Sequence, residues 1–214
     1  MSTTMGILDD SFLVSYLVLL GYTTITLIEA IRTPSVNVRH VMNIETTVSI
    51  VASIVYGLFY EQVKTGTYDL KSFTHLRYLD WFITTPLIIL GLLLFYNQHL
   101  GAIPWQTYAT LVGLDWTMLI AGYMGEGGTI SKWSGFWVGF AALFAMLYLI
   151  YTKCIPKGSN PIAFFVFAFL WSMYGIAYMQ GEETKNLCYN ILDVKSKALF
   201  GVGLWMFFGK VLKF

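Results

Sequence analysis

Long apolar runs alternate along this chain with short polar segments. A helix that crosses a bilayer needs roughly 20 mostly apolar residues, and seven runs approach or exceed that length. The predicted spans are residues 11–32, 41–63, 74–95, 104–124, 132–152, 161–180 and 186–210. Strands of a membrane barrel would instead alternate apolar and polar residues, and runs such as residues 86–90 do not alternate. The pattern therefore predicts an all-α protein.

The polar segments between the runs are short. Connections of this length make consecutive helices antiparallel neighbours. We therefore predict one seven-transmembrane-helix bundle, in which residues 1–214 form a single domain.

The basic residues outside the predicted spans indicate the orientation of the bundle. Lys and Arg are enriched on the cytoplasmic side of membrane proteins. The connections after the first, third and fifth spans, together with the C-terminal residues, carry Arg32, Arg39, Lys153, Lys157, Lys210 and Lys213. Most acidic residues fall on the opposite side. We predict that the N-terminus lies outside and the C-terminus in the cytoplasm.

The composition agrees with a membrane location. The chain is 57% hydrophobic and 12% charged, with a mean hydropathy of +0.64, whereas soluble proteins carry about a quarter charged residues. We predict a multi-pass integral membrane protein whose surroundings are the lipid bilayer, with no cleavable signal sequence. A net charge of +1 gives no reason to expect a nucleic-acid partner. Cys154 and Cys188 lack metal or redox spacing and fall at opposite membrane faces, too far apart for a disulfide.

Several ionisable residues nevertheless fall inside the predicted spans. They are Glu45, Arg77, Asp80, Asp115, Asp193, Lys195 and Lys197. Such residues are costly in hydrocarbon and are usually functional, although one near the end of a span, as Glu45 is, can also extend toward the interface. Asp193 and Lys197 are four residues apart and share a helix face. A buried lysine is suited to forming a Schiff base with an aldehyde, and a protonated imine needs a carboxylate counter-ion.

Four short segments resemble signatures of the microbial rhodopsins. Residues 77–86 read RYLDWFITTP, as in the third helix of that family, and residues 192–197 read LDVKSK, as in the seventh. Residues 171–174, WSMY, are similar to the sixth helix, and residues 111–115, LVGLD, to the fourth. The resemblance covers all seven spans, and a glutamate on the second helix together with the short length is similar to viral members. One departure is Gly175, where members of the family often have a proline.

The resemblance implies that all-trans retinal is bound covalently to Lys197 as a protonated Schiff base. Lys195 points to nearly the opposite helix face, so we expect it only to pack against a neighbour. The resemblance also implies a retinal pocket formed by aromatic and small side chains of several helices. Its predicted lining is Tyr78, Trp81, Thr85, Ile88, Met118, Gly122, Trp171, Tyr174 and Tyr178. An apolar residue at position 88 suggests absorption of green light.

The family also suggests roles for the charged residues. Asp80 resembles the primary counter-ion and proton acceptor, and Asp193 the second counter-ion. Arg77 would stabilise both carboxylates, and Thr84 would hydrogen-bond Asp80. Outward proton pumps of the family often carry a carboxylate eleven residues after the acceptor as a cytoplasmic donor, but this chain has Gly91 there.

Glu45 is the candidate replacement for that missing donor. It lies in the second span, a few residues from the predicted cytoplasmic end. We predict that it acts as a relocated donor or as a cytoplasmic gate, kept protonated by apolar surroundings. On the opposite side, Glu182 and Glu183 either release protons outward or are solvated charges of the connection.

Three functions fit these features. The first is a light-driven outward proton pump, which the pair Asp80 and Thr84 favours, because a chloride pump would lack the acidic acceptor. The second is a light-gated channel for small cations, which Glu45 favours. The third is a light sensor, for which no signalling domain is seen. None of these functions is enzymatic, and none needs a metal. Proteins of the microbial rhodopsin family often form trimers or pentamers, so we expect a homo-oligomer.

Overall fold

The computed structural model describes residues 3–66, 68–97 and 103–208, and every regular element in these ranges is helical. The helices are α1 (Thr3–Arg32), α2 (Val36–Thr65), α3 (Ser72–Asn97), α4 (Trp105–Glu126), α5 (Lys132–Leu149), which continues as a π-helical segment (Ile150–Cys154), and α6 (Ile162–Tyr178). The seventh span consists of α7 (Glu182–Asp193), a π-helical segment (Val194–Leu199) and α8 (Phe200–Phe208). The prediction of seven helical spans is confirmed.

Each helix contacts the next one along the chain, and α7 contacts α1, so the bundle is a closed ring. Short connections enforce this order. Ser35 begins α2 because its side chain accepts a hydrogen bond from the Val38 amide, and Gly66 ends α2 in the left-handed region with φ 67°. The neighbour relations expected from loop length are therefore observed.

Three predicted helix starts differ from the structure by four residues or more. The first helix begins at Thr3 rather than at residue 11, the second at Val36 rather than at residue 41, and the seventh span at Glu182 rather than at residue 186. These extensions contain polar residues, which is why hydropathy missed them. The extension of the seventh span is stabilised by an ion pair, since the ammonium of Lys185 contacts carboxylates of α4 and α7. The predicted end at residue 210 lies outside the described residues.

Within the part of the chain that the structure describes, four helices are long and apolar enough to cross a membrane by length and composition alone, namely Gly6–Arg32, Val36–Thr65, Ser72–Asn97 and Lys132–Cys154. Ile162–Tyr178 is apolar but shorter. Large apolar side chains such as Ile31, Trp137 and Phe169 are exposed on the outside of the ring. Apolar surfaces of this extent suit helices that face lipid.

The polar residues lie inside the ring instead. Buried charged side chains include Arg77, Asp80, Asp193 and Lys197. The lysine lies in the π-helical segment of the seventh span. Such wide turns are rare and occur frequently at functional sites. The fold therefore buries the charges that the sequence singled out, apart from Lys195, which is exposed.

Candidate functional site

Lys197 is the centre of the buried charge cluster. Its side chain is 1% exposed, and its ammonium forms an ion pair with the Oδ2 atom of Asp80 on α3. The Oδ1 atom of Asp193 lies 3.7 Å from the same nitrogen. Lys195, in contrast, is exposed. The structure thus brings together the lysine and both aspartates that the sequence predicted.

The two aspartates have different surroundings. Asp193 accepts hydrogen bonds from the hydroxyls of Tyr56 (2.8 Å) and Tyr174 (2.6 Å) and from the indole of Trp81 (3.1 Å). Its charge is further balanced by the Arg77 guanidinium at 3.4 Å. The Oδ1 atom of Asp80 is buried and has no hydrogen-bond partner within the described part of the chain. Asp193 is therefore saturated with donors, whereas Asp80 retains an oxygen that can accept a proton.

Arg77 is held by neutral groups as well as by Asp193. One terminal nitrogen donates to the Tyr56 hydroxyl (2.9 Å), and the other donates to the side-chain oxygens of Asn186 (3.2 Å) and Asn190 (2.8 Å). The ion pairs found among the described residues join Arg77 to Asp193 and not to Asp80. The guanidinium was expected to stabilise both carboxylates, but its direct contact is with Asp193 alone.

The three polar partners of Arg77 were missed by the sequence analysis. A signal for two of them was present, because positions 186, 190, 193 and 197 are spaced four, three and four residues apart and share one helix face. All four residues at these positions are buried. Tyr56, on another helix, had no comparable signal.

Two threonines of α3 have distinct roles. The Thr84 hydroxyl donates to the main-chain oxygen of Asp80 (2.9 Å), so the expected bond to Asp80 involves the backbone carbonyl rather than the carboxylate. The Thr85 hydroxyl bonds the carboxyl of Asp115 on α4 at 2.5 Å and the Trp81 main-chain oxygen at 2.8 Å. Thr85 thus joins α3 to α4 next to the cavity described below.

A largely apolar cavity with about 720 Å³ of atom-free space, part of it open at the mouth, reaches Lys197. All of the predicted pocket residues line it, from Tyr78 on α3 to Tyr178 on α6. The lining also includes Leu119, Gly135, Phe136, Gly139, Phe140, Leu143, Gly175, Tyr189 and Ser196. The wall from α5 was not predicted, because the one charged residue of that helix, Lys132, lies at its start and nothing marks its inner face.

Glycines shape this cavity. A Cβ atom at Gly122 would lie 2.6 Å from the Tyr78 hydroxyl, and one at Gly175 would lie 2.7 Å from the Cζ atom of Phe140. Such distances are too short for van der Waals contact. Gly175, the departure from the usual proline, is therefore matched by the ring of Phe140, which takes the space that a side chain at position 175 would need.

Glu45 lies apart from the lysine cluster. It is 1% exposed, and its Oε2 atom accepts a hydrogen bond from the Tyr22 hydroxyl at 3.3 Å. Gly91, where a donor was sought, is buried in α3. The Glu45 carboxyl is almost fully buried. It therefore does not extend toward the membrane interface, which was the alternative to a functional role.

The acids at the start of the seventh span are also not equivalent. Glu182 contacts the Lys185 ammonium at 2.9 Å, and Glu126 of α4 contacts the same ammonium at 2.5 Å. Glu183 is exposed. Glu182 is therefore part of an ion-pair cluster that joins α4 to α7, and only Glu183 is a simple surface charge. Cys154 and Cys188 are both free, as expected.

The arrangement fits a covalently bound aldehyde chromophore. The reactive amine lies in an apolar cavity, as a ligand of low polarity requires. Two carboxylates beside the amine balance the charge of an imine formed there. Aromatic rings and glycines supply the walls. The residues present are therefore compatible with retinal on Lys197.

Comparison with known proteins defines the class. The model of the bacteriorhodopsin-like protein family matches residues 8–210, so this chain belongs to that family. It is therefore a multi-pass integral membrane protein of the microbial rhodopsin type.

Individual relatives agree with this assignment. The crystal structure of the viral rhodopsin OLPVRII has a TM-score of 0.89 and 33% sequence identity, covering 96% of this chain and 99% of that one. A green-light absorbing proteorhodopsin from a gamma-proteobacterium is 29% identical over 150 residues, 62% of this chain and 60% of that protein. Archaerhodopsin-3 of Halorubrum sodomense is 27% identical over 169 residues, 70% of this chain and 63% of that protein. The matches thus span less than two thirds of these curated relatives, whereas the viral structure is matched over nearly its whole length.

Proposed function

We propose that this protein binds all-trans retinal on Lys197 and is a light-driven outward proton pump. The observation that carries the proposal is the asymmetry of the two carboxylates at the Lys197 ammonium. Asp80 pairs with the ammonium through Oδ2 while its Oδ1 atom has no partner among the described residues. Asp193 is surrounded by donors. One acid is thus suited to receive a proton and the other to remain charged.

Retinal joined to Lys197 as a protonated Schiff base would supply light absorption and a light-driven change in proton affinity. Trp81, Trp171 and Tyr174 line the cavity and would hold the chromophore between aromatic surfaces. Thr85 and Met118 lie along the same walls. A dry apolar lining would also exclude water from the nitrogen of Lys197.

Asp80 is the residue placed to receive a proton from the Lys197 nitrogen, because its Oδ2 atom contacts that nitrogen directly. Arg77 keeps Asp193 compensated while Asp80 changes charge, since Arg77 pairs with Asp193. Glu45 would resupply the proton from the opposite half of the bundle. With the predicted orientation, transfer from Glu45 toward Asp80 is outward.

Photocurrents measured at several membrane voltages test the proposal. A pump gives outward current at all voltages, and Asp80→Asn should abolish it while the pigment still forms. Glu45→Gln should slow reprotonation of the Lys197 nitrogen at neutral pH. Currents that reverse sign with voltage, or no current at all, would contradict the pump and indicate a channel or a sensor respectively.

The predicted colour is a separate test of the pocket. Ile88 is 2% exposed and lines the cavity. An apolar side chain there is expected to give green absorption, and Ile88→Gln should shift the maximum toward the blue. A wild-type maximum in the blue would contradict this assignment.

A light-gated cation channel is the second candidate. The supporting observation is a buried polar stripe on α2, formed by Glu45, Ser49, Ser53 and Tyr56, which reaches Asp193 through the Tyr56 hydroxyl. Against it, Glu45 is the one acidic residue of this stripe. Light-gated cation channels usually line the path with several carboxylates on this helix, so we place the channel second.

A further inference from the structure

The surroundings of Glu45 differ from those of Asp80 and Asp193, the two carboxylates that pair with the Lys197 ammonium. Its Oε1 atom is buried without a hydrogen-bond partner in the ranges that the structure describes, and its Oε2 atom has the Tyr22 hydroxyl at 3.3 Å. Tyr22 belongs to α1 and is itself 5% exposed. A carboxyl with one neutral contact and one open oxygen is thus enclosed between α1 and α2.

Gly201 of α8 completes the enclosure. A Cβ atom at position 201 would overlap both the Tyr22 hydroxyl and the Glu45 carboxylate. Two residues further along, a Cβ atom at Gly203 would meet nothing within 4 Å. The absence of a side chain at 201 is therefore what allows the carboxyl and the hydroxyl to approach the backbone of the seventh span.

The charges around Glu45 favour its neutral acid form. No ion pair found among residues 3–66, 68–97 and 103–208 includes Glu45. An ionised carboxylate buried without a cation is strongly disfavoured. A protonated carboxyl suits the same position, because one oxygen accepts from Tyr22 and the other side of the group can carry the proton.

We propose that Tyr22, Glu45 and Gly201 form a proton-binding site, in which Tyr22 and Gly201 are positioning residues that hold the Glu45 carboxyl. The ligand is a proton. The use of that proton to resupply Lys197 rests on the proposed pump function, but the existence of the site does not. Tyr22 and Gly201 would then set how readily Glu45 gives up its proton without touching the Lys197 cluster.

Infrared spectroscopy of the protein without retinal, in the dark at neutral pH, tests the site directly. The wild type should show a carbonyl stretch of a buried carboxylic acid that is missing in Glu45→Gln. In Tyr22→Phe that band should move to higher wavenumber, because a hydrogen bond to the carbonyl oxygen is lost. Tyr16→Phe is the matched control on the same helix, since the Tyr16 ring stacks on Tyr60 rather than near Glu45, and should leave the band in place.

A pair of glycine substitutions tests the close approach of the Glu45 carboxyl to the backbone at Gly201. Gly201→Ala should displace or broaden the Glu45 band, because the added methyl group overlaps the carboxyl. Gly203→Ala adds the same methyl group where the space is open and should leave the band unchanged. If Gly201→Ala fails to fold, the Tyr22→Phe measurement still decides the question.

The same variants in the retinal-loaded protein connect the site to transport. Tyr22→Phe should change the rate of Lys197 reprotonation about fivefold, the equivalent of one hydrogen bond of ~1 kcal/mol. A wild type without a Glu45-dependent acid band, or a band that ignores Tyr22→Phe, overturns the proposed site. If the band behaves as expected but the photocurrents reverse with voltage, the site stands and the pump proposal fails.

Discussion

The two halves of the bundle differ in how many hydrogen bonds their buried polar groups form. In the half that contains Arg77, the guanidinium bonds to Tyr56, Asn186 and Asn190 as well as to Asp193. In the half that contains Glu45, the carboxyl has one hydrogen-bond contact among the described residues, with the Tyr22 hydroxyl. We call these the Arg77 half and the Glu45 half.

The difference separates two tasks. A dense network of donors fixes a charge in place, because moving any member leaves others unsatisfied. A sparse site in apolar surroundings can hold a proton and release it, because few bonds resist the change. In the proposed function, the Arg77 half would keep Asp193 ionised, and the Glu45 half would bind and release a proton. Variants that remove hydrogen bonds or charges from either half should therefore have predictable effects.

The largest effect is expected at the lysine between the halves. Lys197→Ala should abolish the pigment completely, because it removes the amine that reaches the cavity. Lys195→Ala is the matched control, since Lys195 is exposed, and should form pigment normally. Absorption spectra after addition of retinal give the answer, and a coloured Lys197→Ala protein would contradict the assignment.

The next largest effect is expected on protein stability, and it should distinguish Asp193 from Asp80. Asp193→Asn removes the charge that compensates Arg77 inside the bundle, and breaking a buried pair costs about 3–5 kcal/mol. Asp80→Asn should be tolerated better in stability, because the Lys197 ammonium still has Asp193 at 3.7 Å, but it should stop proton transfer, because it removes the proposed acceptor. Thermal denaturation and flash photolysis of both variants should rank them in opposite orders. Equal stability losses would contradict the difference in their surroundings.

A smaller effect on stability is expected when one hydrogen-bond partner of Arg77 is removed. Asn190 receives the Arg77 bond at 2.8 Å and donates to the Ser11 hydroxyl at 2.8 Å, so it also ties α7 to α1. Asn190→Ala should destabilise the protein by about 1–3 kcal/mol, because buried donors lose their acceptor. Asn43→Ala, at an exposed position of α2, is the control and should leave the melting temperature within error of the wild type.

Much of this molecule follows from local sequence features. Seven apolar runs predicted seven helices, and the four-residue spacing of Asp193 and Lys197 predicted a shared face. Helix geometry makes such inferences reliable, because it links positions close in sequence. Matching Asp80 to Lys197 needed the family resemblance as well, since they are on different helices.

The remaining features depend on contacts that periodicity does not encode. Tyr22 meets Glu45 across α1 and α2, and Gly201 meets both from the seventh span. The packing of Phe140 against Gly175 likewise depends on the distance between α5 and α6. These contacts are set by the way the helices pack, and a single sequence gives no register between helices. That is why the wall from α5 and the partners of Glu45 emerged only from the structure.

The smallest effect is expected at the end of the Arg77 half, where a polar contact lies in the connection between α2 and α3. The Tyr68 hydroxyl donates to Asp9 of α1 at 2.5 Å, and burial, followed by this bond, raises the pKa of Tyr68 to about 12. The raised pKa means that the contact stabilises the fold fully below the ordinary tyrosine pKa near 10 and that this contribution is lost as the pH rises through about 12. Asp9→Asn should lower the pKa of Tyr68, as seen in the tyrosinate absorbance that Tyr68→Phe removes. An unchanged titration would mean that Asp9 contributes nothing to the raised pKa, and that apolar packing such as the stacking of Tyr68 on Phe73, rather than this bond, holds this end of the Arg77 half.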